Sequence, residues 1–281
     1  MKNFKFTIII LALAITSACD KIEGPYGSSG TIGPVGGDTV VQNVLLEDFT
    51  GHTCQACPNA HREASRLHGI YGERLIILAV HADFWAAPYP LGAPFFTYDF
   101  RNSISTQIAT DFNVIGQPFP KGMVNRMLNP GTSNQLVFDW AGWESKIDQW
   151  ANAVATAGLE ITPGYNSGSN IMTAEVKVKA VSDLTDGAHL AVYFSEDNIV
   201  KWQKDGSIND STYVHNHVLR GSFNGMLGED LGVITAGDSL IKSYSASLAP
   251  ADVVANKVHL VAILTNTVTK EVIQVTEVKL Q

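Results

Sequence analysis

Two cysteines three positions apart are the residues of this chain best suited to chemistry. They stand as Cys54-Gln-Ala-Cys57, and the third cysteine, Cys19, lies far upstream. A disulfide across this motif would close a loop of only four residues, and so short a loop gains little stability from a cross-link. The spacing instead favours thiol–disulfide exchange, in which one thiolate attacks a disulfide sulfur and the second thiol resolves the mixed disulfide.

The segments around the motif predict a strand, a helix and a second strand. Thr39–Phe49 is rich in β-branched and apolar residues, which is typical of a strand. Pro58 is tolerated in the first turn of the helix that the cysteines open. Gly72 ends this helix, and Leu75–Val80 is a continuous apolar run of the kind found in buried parallel strands. Apolar residues recur at helical spacing in between, at Ala60, Ala64, Leu67 and Tyr71.

The two cysteines are expected to differ in reactivity because of their places on this helix. A helix amino terminus carries a partial positive charge, which stabilises a thiolate. Cys54, at that end, is therefore expected to be the solvent-reachable nucleophile with a depressed pKa. Cys57, one turn inside, is expected to be the shielded, resolving thiol.

This arrangement resembles the redox site of thioredoxins. The resemblance implies that a buried acid six residues before the first cysteine accepts a proton during resolution, and Asp48 has that position. Glu47 is its neighbour, and strand alternation lets only one of the two point toward Cys57; we favour Asp48. Thr53 stands where thioredoxins have tryptophan, and Gln-Ala separates the cysteines instead of Gly-Pro. Substrate preference and redox potential therefore do not carry over.

The same resemblance implies a cis-proline that precedes a strand and faces the cysteine pair. Residues 114–126 read VIGQPFPKGMVNR, in which Pro118 and Pro120 are both candidates. We prefer Pro120 because it stands shortly before the apparent strand Met123–Met127. The choice of Pro118 would leave Pro120 inside that strand, where proline removes a hydrogen-bond donor.

Other chemistries are less well supported by the residues near the motif. Haem attachment needs a histidine directly after the second cysteine, where Pro58 stands. Zinc would need two further ligands; His52 and His61 are near, but no second CxxC follows. A disulfide without a catalytic role stays open.

A second histidine pair lies in the carboxy-terminal half. His215 and His217 are two residues apart, so on a strand they would share one face, and Glu196 or Asp197 could complete a metal site. A structural hydrogen-bonding pair is the favoured interpretation. We therefore predict neither a metal nor a cofactor.

The amino terminus has the layout of an export signal. Lys2 and Lys5 precede the apolar stretch Phe6–Ile15, and Ser17-Ala18 precede Cys19. We expect residues 1–18 to be a cleaved signal peptide and Cys19 to be lipidated, although Thr16 stands where a lipobox usually has leucine. An uncleaved anchor is disfavoured because a membrane span needs about 20 apolar residues.

The remaining composition describes an acidic globular body on a tether. Residues 19–38 include GPYGSSGTIGPVGG, a flexible segment, and no second long apolar run follows. Removing residues 1–18 takes away two lysines and no acids, so the net charge goes from −8 to −10. Such a body argues against nucleic acid as a partner.

The carboxy-terminal half predicts an all-β domain. Five alternating segments separated by turn signals favour an immunoglobulin-like antiparallel sandwich over residues 159–281; they are Ile171–Ala180, His189–Phe194, Tyr213–Leu219, Lys257–Leu264 and Glu271–Leu280. The preceding domain, residues 39–158, is expected to be an α/β thioredoxin-like unit. A helical segment with Trp140, Trp143, Ile147 and Trp150 should link the two and end near Gly158. An aromatic-rich insertion near 81–110 could pack as a cap, which we favour, or line a cleft.

Taken together, the chain resembles the Omp-twenty-eight-related outer-membrane lipoproteins of Bacteroidetes. The resemblance rests on LLEDFTGHTCQACPNA (45–60), VHADF (80–84), PKGMVNR (120–126), YFSEDNIVKWQ (193–203) and YVHNHVLR (213–220). It implies a thioredoxin-like domain followed by a β-sandwich, located at the outer membrane.

Two functions of different classes follow from these observations. The first is thiol–disulfide exchange by Cys54, Cys57, Asp48 and Pro120 on exported proteins or with an envelope redox partner, held at the membrane through Cys19. The second is a surface binding or adhesion module that uses the thioredoxin fold as a scaffold, since a fold alone does not decide function.

Overall fold

The fold is mostly β and is built around one eight-stranded mixed sheet. The computed structural model describes residues 40–89 and 94–281. These residues all fall within a single compact unit, Ile32–Gln281. The predicted signal peptide (1–18), the lipidation at Cys19 and the tether (19–38) lie outside the described residues.

The secondary structure runs in the following order along the chain. The helices are α1 (Cys57–Tyr71), α2 (Ser103–Asp111) and α3 (Trp143–Ala151). The strands are β1 (Val44–Thr50), β2 (Leu75–His81), β3 (Lys121–Val124), β4 (Ala157–Asn166), β5 (Ile171–Ala180), β6 (Ala188–Glu196), β7 (Ile199–Val200), β8 (Gln203–Asp205), β9 (Ile208–Asp210), β10 (Val214–His215), β11 (Val218–Ser222), β12 (Glu229–Asp230), β13 (Ser239–Ser247), β14 (Val258–Asn266) and β15 (Val272–Lys279). No helix in the described part of the chain is long and apolar enough to cross a membrane.

The predicted strand–helix–strand unit is confirmed. β1 and β2 are parallel, every residue of both is buried, and α1 connects them. Gly72 caps the carboxyl end of α1 with a φ of 57°, a conformation that glycine adopts without strain. β3 runs antiparallel to β1 but ends at Val124, because Asn125 and Arg126 have positive φ values of 47° and 49°.

Helices cover both faces of this part of the sheet. α1 and α3 share a core with β1, in which Trp143 and Ile147 are fully buried. α2 contributes Ile104 and Ile108 to a second core that also holds both cysteines. α3 ends at Ala151, and Gly158 lies in β4, so the predicted linking helix is shorter than expected.

The carboxy-terminal strands form two packed layers. The main sheet has the order β15-β14-β6-β11-β2-β1-β3, with β12 beside β6, and a smaller antiparallel sheet has the order β13-β5-β4. A shared apolar core fills the space between them, with Val176 and Val178 on one side and Leu260 and Ala262 on the other. Four of the five predicted segments are confirmed as strands β5, β6, β14 and β15.

The fifth segment, Tyr213–Leu219, was predicted as one strand, and this was wrong. It forms two short strands, β10 and β11, because His217 between them has a φ of 55° and reverses the backbone. His215 and His217 therefore do not share a strand face.

Strand β11 joins the two halves of the chain into one sheet. It pairs in parallel with β2 at Val218–Ala79 and antiparallel with β6. The predicted domain boundary at residues 158 and 159 falls within β4, and the division into two domains stays a prediction.

Candidate functional site

A disulfide links Cys54 and Cys57 across a turn. Their Cα atoms lie 5.5 Å apart. Helix α1 begins at Cys57, three residues later than predicted, so Cys54 lies in the turn before the helix. The first helical position, with the partial positive charge of the helix amino terminus, therefore belongs to Cys57, whose backbone N–H donates to the Cys54 carbonyl at 3.4 Å.

Both cysteines are buried in the oxidised protein. Cys54 is 1% exposed and Cys57 is 0% exposed. Cys54 is therefore not solvent-reachable in this oxidised state, and a solvent-reachable Cys54 thiol in the reduced protein stays a prediction. Two segments that are distant in sequence cover the disulfide: a hairpin formed by β8 and β9, and a turn at Phe84–Ala86.

The hairpin, residues 203–210 (hereafter the cover hairpin), bonds directly to the cysteine turn. The side-chain amide of Gln203 donates to the Cys54 carbonyl oxygen at 3.1 Å. The backbone of the cover hairpin adds two further bonds. The N–H of Lys204 donates to the His52 carbonyl at 2.8 Å, and the N–H of Gly206 donates to the Gln55 carbonyl at 2.9 Å. Main-chain hydrogen bonds from alternate residues resemble those that an added strand makes to the exposed edge of a β-sheet.

The turn at Phe84–Ala86 closes the other side, and it belongs to the predicted insertion. The Trp85 carbonyl accepts bonds from the Thr53 N–H at 3.1 Å and from the Thr53 hydroxyl at 2.9 Å. A Cβ on Gly51 would lie 2.3 Å from the Trp85 carbonyl carbon, so only glycine permits this approach. Trp85 packs against the core that contains the disulfide, and Phe100 is buried nearby, as expected for a cap.

Asp48 lies on the α1 side of β1. It is 1% exposed, and burial raises the pKa of its carboxyl well above its usual range. One carboxyl oxygen, Oδ2, lies 3.6 Å from His61 Nε2, and the other, Oδ1, has no hydrogen-bond partner. Glu47 bonds to the buried Arg126 instead, so the two acids point to opposite sides of the strand, as alternation predicts.

His61 is a residue of this site that sequence reasoning considered only as a weak zinc candidate. It lies four residues after Cys57 and therefore one turn further along the same face of α1. Its Nε2 is 2.8 Å from the Thr50 hydroxyl and its Nδ1 is 2.6 Å from the Tyr213 hydroxyl. Burial, assisted by the charge of Arg62, lowers the pKa of His61 to about 4.

Asp48 and His61 border a cavity of about 130 Å³. Five of the eight histidines of the chain line it: His61, His68, His81, His215 and His217. No group of three histidine, cysteine or acidic side chains is arranged to hold a metal ion within residues 40–89 and 94–281. His52, the other predicted zinc candidate, is buried elsewhere and bonds to the Ala87 carbonyl at 2.8 Å.

The predicted cis-proline is confirmed in its geometry. The Phe119–Pro120 peptide bond is cis, whereas the Gln117–Pro118 bond is not. Pro120 directly precedes β3, in which Gly122 pairs with Asp48. Phe119 lies in the same apolar core as the two cysteines.

Comparison with solved structures shows a shared fold. HBP35 of Porphyromonas gingivalis matches with a TM-score of 0.62 at 20% identity, covering 86% of this chain and 76% of that one. A protein of Agrobacterium tumefaciens matches with a TM-score of 0.52 at 12% identity, covering 87% and 97%. A domain of the outer membrane lipoprotein Omp28 from Porphyromonas gingivalis matches at 20% identity with a TM-score of 0.31, covering 46% and 91%.

Sequence comparison supplies the family. No curated protein matches the chain. A family model described as outer membrane protein Omp28 matches residues 105–281, which is more than half of the chain. The resemblance drawn from the sequence motifs is therefore confirmed, and the chain belongs to the Omp28 family of outer membrane proteins.

Proposed function

We propose that this outer membrane protein is a thiol–disulfide oxidoreductase whose redox centre is the Cys54–Cys57 disulfide. The observation that carries the proposal is the placement of that disulfide at the start of α1, with the buried acid Asp48 lying 3.6 Å from His61, one helical turn after Cys57. The parallel β1–α1–β2 unit and the antiparallel β3 support a thioredoxin-like arrangement for this part of the chain. The packed sheets that follow support an immunoglobulin-like sandwich.

The proposed reaction proceeds in two exchanges. In the reduced protein the Cys54 thiolate attacks one sulfur of a substrate disulfide, forms a mixed disulfide and releases a substrate thiolate, which takes up a proton. Cys57 then loses its proton to the Asp48 carboxylate and attacks the Cys54 sulfur, and the second substrate sulfur leaves as a thiolate that takes up a proton from water. The substrate gains two electrons and the protein loses two. Exported proteins or an envelope redox partner would supply the reacting thiols and disulfides.

Access to Cys54 requires movement of the cover hairpin. A substrate sulfur cannot reach a side chain that is 1% exposed. The contacts that hold the hairpin are a few hydrogen bonds and an exposed Arg62–Asp205 ion pair at 3.0 Å. Exposed ion pairs contribute little, about 0–1 kcal/mol, so the Arg62–Asp205 pair does little to hold the hairpin in place.

The test is the redox activity of the pair. The wild-type protein should equilibrate with glutathione buffers and reduce insulin, and Cys54→Ser and Cys57→Ser should each abolish turnover. A pair that stays oxidised in every buffer, with no insulin reduction, would contradict the proposal.

A binding or adhesion module is the second candidate. The burial of both cysteines favours it, because a disulfide enclosed by two segments could serve only to fix the turn between β1 and α1. In that case the Cys54→Ser,Cys57→Ser double variant should unfold at a lower temperature while exchange activity is absent from the wild type.

A further inference from the structure

The histidine cavity beside Asp48 has no role in the exchange as described so far. Asp48 is enclosed by β2 and β3 on either side and by α1 above, and it lines the histidine cavity together with His61, so a proton received from Cys57 leaves through that cavity. The nearest titratable group is His61, whose Nε2 lies 3.6 Å from Asp48 Oδ2. Repeated turnover needs an outlet for this proton.

We propose that His61, held by Tyr213, carries protons between Asp48 and the water of the histidine cavity. His61 and Tyr213 are thereby positioning residues for the step in which Cys57 attacks the mixed disulfide. The inference rests on the proposed function and assigns an additional site to it.

One ring nitrogen of His61 lies near Asp48, and the other lies near the histidine cavity. Nε2 lies near Asp48 and 2.8 Å from the Thr50 hydroxyl, and Thr50 is on the same side of β1 as Asp48, two residues on. Nδ1 lies 2.6 Å from the Tyr213 hydroxyl, which borders the cavity. An imidazole can accept a proton at one nitrogen and release one from the other, so this orientation suits transfer.

The cavity can hold the water that the path requires. A water molecule needs about 10–15 Å³ of such space together with polar partners, and the cavity has about 130 Å³. The buried His81 Nε2 and Asp48 Oδ1 both lack a protein partner. The lining includes exposed Ser65 and Asn216, so the cavity reaches the protein surface.

The electrostatic surroundings keep the His61 imidazole neutral. Burial is the main cause of its lowered pKa, Arg62 on α1 acts in the same direction, and Asp205 of the cover hairpin opposes them. Four other titratable groups line the cavity near His61: Asp48 from β1, Tyr213 just before β10, His81 from β2 and His215 from β10. The pKa values of His81 and His215 are lowered, so both imidazoles are neutral. The pKa of His61 is lowered to about 4 while that of Asp48 is raised well above its usual range, so the proton rests on Asp48 and His61 would hold it only in transit.

The test isolates the second exchange step in a stopped-flow experiment. The reduced mature chain, with Cys19 acylated or replaced by serine, is mixed with dithiobis-nitrobenzoate, an aromatic disulfide that releases a coloured thiolate. The first release reports attack by Cys54 and the second reports displacement by Cys57. In His61→Gln and His61→Ala the second release should slow by about 100-fold at neutral pH, the lower end of the range of general acid–base effects, while the first is unchanged. The pH profile of the second release should shift, and added imidazole should restore its rate in His61→Ala.

Two variants act as controls. His68→Gln changes a histidine on the same helix that lines the cavity but has no contact with Asp48, and it should behave as wild type. Tyr213→Phe, which keeps the ring, should slow the second release less than the His61 variants and shift its pH profile, and it provides the test if those variants fail to fold.

The outcomes separate the two proposals. An unchanged rate and pH profile in the His61 variants, or a slower release without a pH shift and without imidazole rescue, would overturn the proton path and leave the proposed function intact. A wild-type protein that releases only the first thiolate would overturn the proposed function itself.

Discussion

Arg126 donates two hydrogen bonds to Glu47, at 2.9 and 2.7 Å, on the side of β1 opposite Asp48. Both side chains are buried, at 1% and 0% exposure. Glu47 is therefore paired on that side of the strand, which leaves Asp48 as the acid that faces α1.

The Glu47–Arg126 pair should be strongly coupled. Arg126→Met or Glu47→Gln alone should lower the free energy of unfolding by about 3–5 kcal/mol, because each leaves its partner buried without a counter-charge. The double variant should lose less than the sum of the two single changes. Urea unfolding of all four proteins measures this, and additive losses would contradict the coupling.

The cover hairpin should control the reduction of the disulfide. Gln203→Ala removes the side-chain bond to the Cys54 carbonyl, worth about 1 kcal/mol, and should speed reduction by a phosphine about fivefold. Lys204→Ala is the matched control, since its contact to His52 uses only the backbone N–H and should be retained. Equal reduction rates in wild type and Gln203→Ala would show that the hairpin does not limit access.

Gly51 should not tolerate even a methyl group. Gly51→Ala would place Cβ 2.3 Å from the Trp85 backbone, so the protein should lose about 1–3 kcal/mol or more as the turn is displaced. Gly69→Ala, in the open part of α1 with nothing within 4 Å, should instead gain about 0.5–1 kcal/mol. Thermal unfolding compares the two, and equal effects at both positions would be inconsistent with the close packing described.

The histidine cavity should make the fold sensitive to acid. Burial lowers the pKa of His61 to about 4 and that of His215 to about 3, and it lowers that of His81 as well. The pKa of histidine in the unfolded chain is about 6.5, so below this pH the unfolded chain binds protons that the folded chain does not bind. Stability should therefore fall as the pH is lowered from about 6.5 toward 4, by about 1.4 kcal/mol per pH unit for each unbalanced proton.

Asp48 acts in the opposite direction in this window. Its raised pKa means that the folded protein holds a proton that the unfolded chain loses above about 3.9, so it offsets one of the three histidines. Urea unfolding across this pH range measures the net slope. His215→Phe keeps a ring against Phe100 and should make the dependence of the unfolding free energy on pH shallower. A stability that does not change between about pH 6.5 and 4 would contradict the lowered pKa values of these histidines.

Acylation of Cys19 would fix the protein to its membrane. Metabolic labelling with a fatty-acid analogue should tag the wild-type chain, and Cys19→Ser should abolish the tag. An untagged wild-type protein would instead indicate an ordinary secretory signal.

Much of the β1–α1–β2 unit could be predicted from local sequence. The apolar runs of β1 and β2 and the carboxyl cap at Gly72 are signals carried by neighbouring residues. The position of Asp48 followed from its offset to Cys54, and strand alternation separated it from Glu47.

The cover of the disulfide could not be predicted, for a physical reason. β8 and β9 have only three residues each and are mostly polar, so they lack the apolar alternation that identifies strands. Their partners lie about 150 residues away, as for Gln203 and Cys54. The Cys57–His61 spacing of four residues was the one local signal for His61, but its contact with Tyr213 spans 152 residues.

The position of β11 between β2 and β6 also bears on how a newly made chain reaches its native state. Asn43 near the start of the described chain bonds to Gln274, 231 residues later, and β2 gains its outer neighbour only when residues 218–222 arrive. A nascent chain that crosses the inner membrane from its amino end would therefore expose the edge of β2 until nearly the whole polypeptide has emerged. Folding dominated by such distant pairings is slow, so the cysteines would remain open to enzymes and oxidants of the envelope throughout export, before the native packing encloses them.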